Sequence, residues 1–180
     1  MEKNQQNNKE VLLKPEFQQS TLGIHICKNG ISFCLHPAHQ DVSISYIQTE
    51  NGALSKDEIL QKIKEFDEMI YSYVENIRIL ATTISFPGPI DNDVVEITNF
   101  WAAGDNHFSR TDFTNFKCCK GNYLCMINEI QALAHGLIST DEFYGLEDDF
   151  APLWKPPAMD VMPTLYPLYF SSEAACVLQI

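Results

Sequence analysis

Two stretches gather polar side chains at the ends of apolar runs: ISFPGPIDNDVVEITNFW at 84–101 and CMINEIQALAHGL at 125–137. They offer Asn99 and Asn128 as hydrogen-bonding amides and Glu129 as an acid–base group. Glu129 also opens a helix-forming stretch, where the helix dipole favours a negative charge on structural grounds alone. Nearer the N-terminus, Lys28 and Asn29 sit in a turn; a lone lysine there is a point charge and supplies no nest of N–H groups for an anion. The six cysteines, Cys27, Cys34, Cys118, Cys119, Cys125 and Cys176, form no paired CxxC knuckle, and no histidine stands at ligand spacing from the Cys118–Cys119 pair, so no metal site is expected. His25, His36, His39, His107 and His135 are scattered, and no G-x-S-x-G, Walker, HExxH or EF-hand pattern occurs.

The 180 residues carry 24 acidic and 12 basic side chains, a formal charge of −12. That balance argues against electrostatic binding to nucleic acid or to an anionic membrane surface, both of which need clustered Lys and Arg. The apolar share of 45% is ordinary for a globular core. No apolar run is long enough to span a bilayer. MEKNQQNNKE has neither the apolar stretch of a signal peptide nor the Arg-rich pattern of a transit peptide, so the expected address is cytoplasmic and the cysteines are expected to be reduced thiols.

The elements that must position these residues follow from periodicity. Residues 1–19 are polar and are expected to form a tail, or an arm that orders only against a partner. TLGIHIC, GISFCLH and VSISYIQ at 21–27, 30–36 and 42–48 alternate as strands, with Asn29-Gly30 as a two-residue hairpin turn. Ser55 and Glu58 form a capping box. It opens a helix to about Val74, with Ile59, Ile63, Phe66, Ile70 and Tyr73 on one face and Lys56, Lys64, Asp67 and Glu75 on the other. IRILATTISF at 77–86 reads as a strand buried on both faces, and Pro87-Gly88-Pro89 ends it. VVEIT at 94–98 and NYLCMI at 122–127 are further strands, and EIQALAHGL is a short helix. After Ser139 an acidic connection leads to APLWKPPAMDVMPTLYP, whose prolines exclude a regular helix or central strand. YFSSEAACVLQI closes the chain as one strand or helix. A hairpin meander followed by β-α-β units predicts an α/β protein: a mixed sheet with helices on its faces and a non-regular, Pro-rich C-terminal strap. The domain reading is an arm over 1–19, a lobe over 20–150 and an extended segment over 151–180.

Over about residues 21–138 the chain resembles the nucleotide-side lobe of bacterial-type glucokinases, where a Pro-Gly-Pro turn and an ItNxxW strand are followed by INDfeAxAxGL. The resemblance implies an actin-like ATPase (ribonuclease H-like) lobe. It implies that Pro87-Gly88-Pro89 shapes the floor of a sugar site, that Asn99, in the Thr98-Asn99 to Trp101 segment, lies near the sugar, and that Asn128-Glu129 stands in place of an Asn-Asp pair whose Asp takes the proton from the sugar 6-hydroxyl. Glu129 is one methylene longer than that Asp, and a misplacement of about 1 Å can cost on the order of 10²-fold in rate. The family's first phosphate loop, Asp-x-Gly-Gly-Thr, is replaced by His25-Ile26-Cys27-Lys28-Asn29, so the resemblance implies lost phosphate binding at His25, Cys27, Lys28 and Asn29. In the family the other sugar contacts, the second phosphate loop and the adenosine site lie on a second lobe, and this chain is expected to end where that lobe begins. Ser171-Ser172-Glu173 would replace the second loop's glycines.

Three functions follow as expectations. The first is a degenerate, non-catalytic lobe serving as a structural or protein-interaction subunit, with no cofactor, and with protein partners reached through residues 1–19, residues 151–180 and the interlobe face. The second is ATP-dependent glucose 6-phosphorylation with Glu129 as base, Mg and ATP as cofactors and the second lobe from another chain. The third is a weak sugar-binding module using Asn99, Asn128 and Glu129.

Overall fold

Alternation in residues 19–37 becomes an antiparallel hairpin of β1 (Gln19–Cys27) and β2 (Gly30–Pro37) in the computed structural model. The structure describes residues 18–27, 30–38, 44–49, 54–74, 76–97, 104–120, 123–133, 135–136, 165–171 and 174–179. The hairpin forms as expected, but its connection is one residue earlier than the Asn29-Gly30 signal: Gly30 is already in β2, paired with Cys27, and residues 28–29 between them lie outside the described set. β3 (Ile44–Thr49) continues the meander against β2. β4 (Arg78–Phe86) and β8 (Leu124–Asn128) add in parallel on the other side of β1, giving the order β3-β2-β1-β4-β8.

Register sets one face of this sheet as core. Leu22 lies opposite Leu35 and Thr82, Ile24 opposite Phe33 and Ile84, and Ile84 opposite Met126; all are buried. The helix α1 (Lys56–Tyr73) covers that face with Ile59, Ile63, Phe66 and Ile70, and the Phe66 ring stacks on Phe33 at 4.1 Å between centroids. The capping box forms as expected: the Glu58 N–H donates to Ser55 Oγ at 3.3 Å, and the Ser55 N–H donates to Glu58 Oε2 at 2.7 Å. The buried stripe ends on Val74, while Tyr73 is half-buried.

The expectation for β4 needs correction. A bulge shifts its register against β1 between Ser20 and Thr21, so Ile79 and then Thr82, Ile84 and Phe86 point to the core. On the opposite face Ala81 and Thr83 are half-buried and Ser85 is buried, so both faces are buried only at the strand's C-terminal end. Asp67 was also expected on the solvent face of α1, yet it is 6% exposed. Its carboxylate accepts the Lys117 N–H at 3.0 Å and the Cys118 N–H at 2.7 Å, which explains the burial: the donors replace the lost water.

Between β4 and β8 runs a small antiparallel sheet, β5 (Ile90–Asp91), β6 (Val94–Glu96) and β7 (His107–Ser109). Asn92 and Asp93 join its first two strands with φ of 49° and 61°, the paired left-handed residues of a tight hairpin. The four-residue helix α2 (Arg110–Phe113) and a 3₁₀ turn (Lys117–Cys119) complete the crossover. Sequence reading had resolved only the Val94 strand here.

By contact density the chain divides into two units, Met1–Asn128 and Glu129–Ile180. The expected boundary at 150/151 lies outside the described residues, as does the arm up to residue 17. In the second unit, residues 129–133 and 135–136 are helical. β9 (Leu165–Ser171) and β10 (Ala174–Gln179) form an antiparallel hairpin. The expected irregular strap is therefore corrected over its last stretch, and residues 151–164 lie outside the described set. Pro167 lies within β9, opposite Val177. A two-stranded hairpin accommodates it because each strand keeps one side free of ladder bonds.

Candidate functional site

β1, β4 and β8 run parallel and end together at Cys27, Phe86 and Asn128. In open α/β sheets this carboxyl edge is where ligands are bound. Within the first unit it gathers His25, Cys27, the Pro87-Gly88-Pro89 turn and Asn128. His25 and Ser85 face each other across β1 and β4, with Nδ1 and Oγ 2.8 Å apart. Ser85 is buried and His25 half-buried. The Cys27 thiol donates to the Gly30 carbonyl at 3.3 Å, closing the hairpin.

Asn128 shares a register row with Phe86, and its Nδ2 donates to the Gly88 carbonyl. The bond ties the end of β8 to the turn that ends β4. Space at Gly88 is tight: a Cβ there would lie 3.3 Å from the Glu96 carbonyl oxygen. The turn, the small sheet and the end of β8 thus brace one another. Glu129 follows Asn128 as the first residue of the second unit, half-buried and opening a helical turn.

Asn99, with Thr98 and Trp101, lies outside the described residues, as do Lys28 and Asn29. On either side of the stretch carrying Asn99 the Ile97 N–H donates to the Asn106 carbonyl at 3.1 Å, and Asn106 Nδ2 donates to the Ile97 carbonyl at 2.8 Å.

The support beneath this edge was not anticipated from the sequence. Phe86, Phe108 and Phe113 are fully buried, with ring centroids 5.4 to 6.0 Å apart. They seat the small sheet against the end of β4. Lys56, expected on the solvent face of α1, reaches over the Phe108 ring and bonds Asp105 and Asp112 at 3.1 Å each. Burial pulls the Lys56 ammonium down, but the hydrogen bonds and charges of Asp112 and Asp105 outweigh it and hold its pKa above the usual lysine value. Asp112 also accepts the Ser109 N–H at 2.8 Å. The Ser109-x-x-Asp112 spacing is the capping signal that sequence reading used at Ser55 and passed over here. Cys118 and Cys119, with sulfurs 3.8 Å apart, are buried beside Asp67. The bond to Cys119, burial and the nearby carboxylate push the Cys118 thiol far up, so it stays protonated. Among the described residues, no three metal-ligating side chains converge.

The same architecture occurs in a glucokinase from Balamuthia mandrillaris solved in complex with glucose. The match covers 97% of this chain, with a TM-score of 0.70 and 16% identity. The fold is that of a glucokinase-like, actin-like ATPase lobe. A ROK family transcriptional regulator, a homologue of the E. coli MLC protein, matches 74% of the chain with a TM-score of 0.53 and 15% identity. The chain spans 53% of the length of the glucokinase and 33% of that of the regulator. No protein-family model and no curated protein matches it. Among the described residues no helix of this lobe is long and apolar enough to cross a membrane.

Proposed function

We propose that this glucokinase-like lobe has kept the frame of a sugar kinase without its phosphoryl-transfer chemistry, and serves as a structural or protein-interaction subunit. The observation that carries this reading is His25. Phosphoryl transfer needs anionic ligands for magnesium and backbone N–H groups around the phosphates. Where the resemblance calls for a carboxylate near the end of β1 this chain has the imidazole of His25, bonded to Ser85. Cys27 places a thiol, directed to the Gly30 carbonyl, where a phosphate would need glycine. These residues do not fit a magnesium triphosphate. What supports retention of the frame is the bracing of Gly88 by Asn128.

A second reading, a weak sugar-binding module, is favoured by that same bond. It fixes the turn and Asn128, one of the three residues, with Asn99 and Glu129, that the resemblance assigns to the sugar. Glucose phosphorylation with Glu129 as base and ATP and Mg as cofactors is the remaining alternative.

The test measures glucose-dependent ADP formation and melting temperature in the presence of glucose and Mg-ATP. On our reading neither changes, because a ligand that does not bind the native state cannot stabilise it. Stabilisation by glucose alone would select the sugar-binding module. Turnover that disappears in Glu129→Gln would refute loss of catalysis. The subunit role is tested separately by size-exclusion mass analysis of natively purified protein, where a lone monomer contradicts it.

A further inference from the structure

At the opposite end of the parallel strands, about 20 Å from the carboxyl edge at a rise of about 3.3 Å per residue, lies a cleft of about 450 Å³. Its floor is the start of β4, Ile77 to Ala81, and its rim carries Tyr71, Arg78, Lys117, Lys120 and Tyr123. Three cations of a chain with net charge −12 therefore line one cavity, and among the described residues no carboxylate lines it. Among the described residues Arg78, Lys117 and Lys120 make no salt bridge, whereas Lys56 and Arg110 do. On α1, the Asp67 carboxylate is buried and turned to the N–H groups of Lys117 and Cys118. Lys117 Nζ lies 5.3 Å from the centre of the Tyr71 ring. Burial, with Cys118 and Asp67 nearby, pushes the Tyr71 hydroxyl up to about 12, so it remains a neutral donor. Tyr123 is 72% exposed, a free aromatic surface at the mouth.

We propose that this cleft binds a small phosphate-bearing molecule. Like charges held together without a counter-charge repel one another, and an anion among them relieves that repulsion. A guanidinium offers a fork matched to phosphate oxygens and two ammonium groups offer point charges. The volume is that of a small-molecule site. Sugar phosphates and nucleotides share this chemistry; only a nucleotide adds a base that stacks on Tyr123.

Ribose 5-phosphate, AMP and adenosine are titrated into the full chain, and binding is read from amide shifts in ¹⁵N–¹H spectra. Both phosphates are expected to produce saturable shifts at 77–81 and 117–123, and adenosine none. The Arg78→Gln/Lys120→Gln double variant alters exposed side chains only. It is expected to weaken both phosphates by at least about tenfold, the loss of one charge-assisted bond. Tyr123→Ala is expected to weaken AMP alone if the ligand is a nucleotide, and neither if it is a sugar phosphate. Should the double variant misfold, Lys120→Gln by itself gives the same comparison. Absence of saturable shifts at these amides up to about 10 mM, or affinities unchanged in a folded variant, overturns the proposal.

Discussion

Asp67 is the position where one substitution tests the packing scheme most sharply. Its carboxylate is 6% exposed and accepts two backbone N–H groups, from Lys117 at 3.0 Å and Cys118 at 2.7 Å. These bonds hold the 3₁₀ turn that leads the chain from the small sheet into β8, and Thr82 Oγ1 pins the same turn by donating to the Cys118 carbonyl. In Asp67→Ala both N–H groups lose their acceptor, and the Cys118 N–H is buried. Bonds to a charged acceptor contribute about 1.5–3 kcal/mol each. Relief from burying a carboxylate offsets part of that sum. The net loss should be about 3 kcal/mol, roughly 10 °C in melting temperature for a domain of this size. Asp67→Asn keeps one acceptor oxygen and should lose about half as much. Urea unfolding followed by circular dichroism would show a lower midpoint at unchanged slope. Hydrogen exchange at the Cys118 amide should speed up in parallel. If Asp67→Ala unfolds within about 0.5 kcal/mol of the parent, the clamp is not what holds the turn.

Two further outcomes follow from the carboxyl edge. In Gly88→Ala the new methyl meets the Glu96 carbonyl oxygen at 3.3 Å, a backbone atom that cannot swing away. A destabilisation of about 1 kcal/mol is expected, with shifted amides at Val95 and Asn128 in the ¹⁵N–¹H spectrum; an unperturbed Asn128 argues against the bracing described here. Lys56→Met keeps the stem over Phe108 but loses both carboxylate partners, and should cost about 1 kcal/mol by thermal unfolding near neutral pH. Because the folded Lys56 pKa lies above the ordinary lysine value of 10.5, its contribution is fully present below that value and is lost as pH rises through the folded pKa. The difference between parent and variant should therefore hold from pH 7 to about 10 and shrink above it; a difference that grows with pH contradicts the pairing.

The local elements were legible because each rests on contacts between near neighbours in the chain. Alternation over 20–36, the hairpin signalled near Asn29-Gly30 and the Ser55–Glu58 box need only a few residues to specify them; the structure has the alternation and the box, and places the hairpin with Gly30 inside β2. The motif at 84–101 and 125–137 pointed to the glucokinase-like lobe because its turn and strand ends are themselves local. Asp67 and Lys56 were misplaced for the opposite reason. A helical wheel sorts residues by hydrophobicity and assigns a charge to solvent, yet their partners lie at Lys117 and Cys118 and at Asp105 and Asp112. Partners about fifty residues away leave no trace in a window of one helix. The bulge in β4 and the Asn92-Asp93 hairpin were missed because a long apolar run carries no phase, and two polar residues read as loop until their φ is seen. The sequence by itself determined the meander, the capped helix and the strand-ending Pro-Gly-Pro turn, all short-range consequences of side-chain period and backbone restriction. Only the tertiary structure decided that His25 meets Ser85, that Asn128 closes on Gly88 and that Arg78, Lys117 and Lys120 share one cleft, because those meetings depend on the order and register in which separate strands pair.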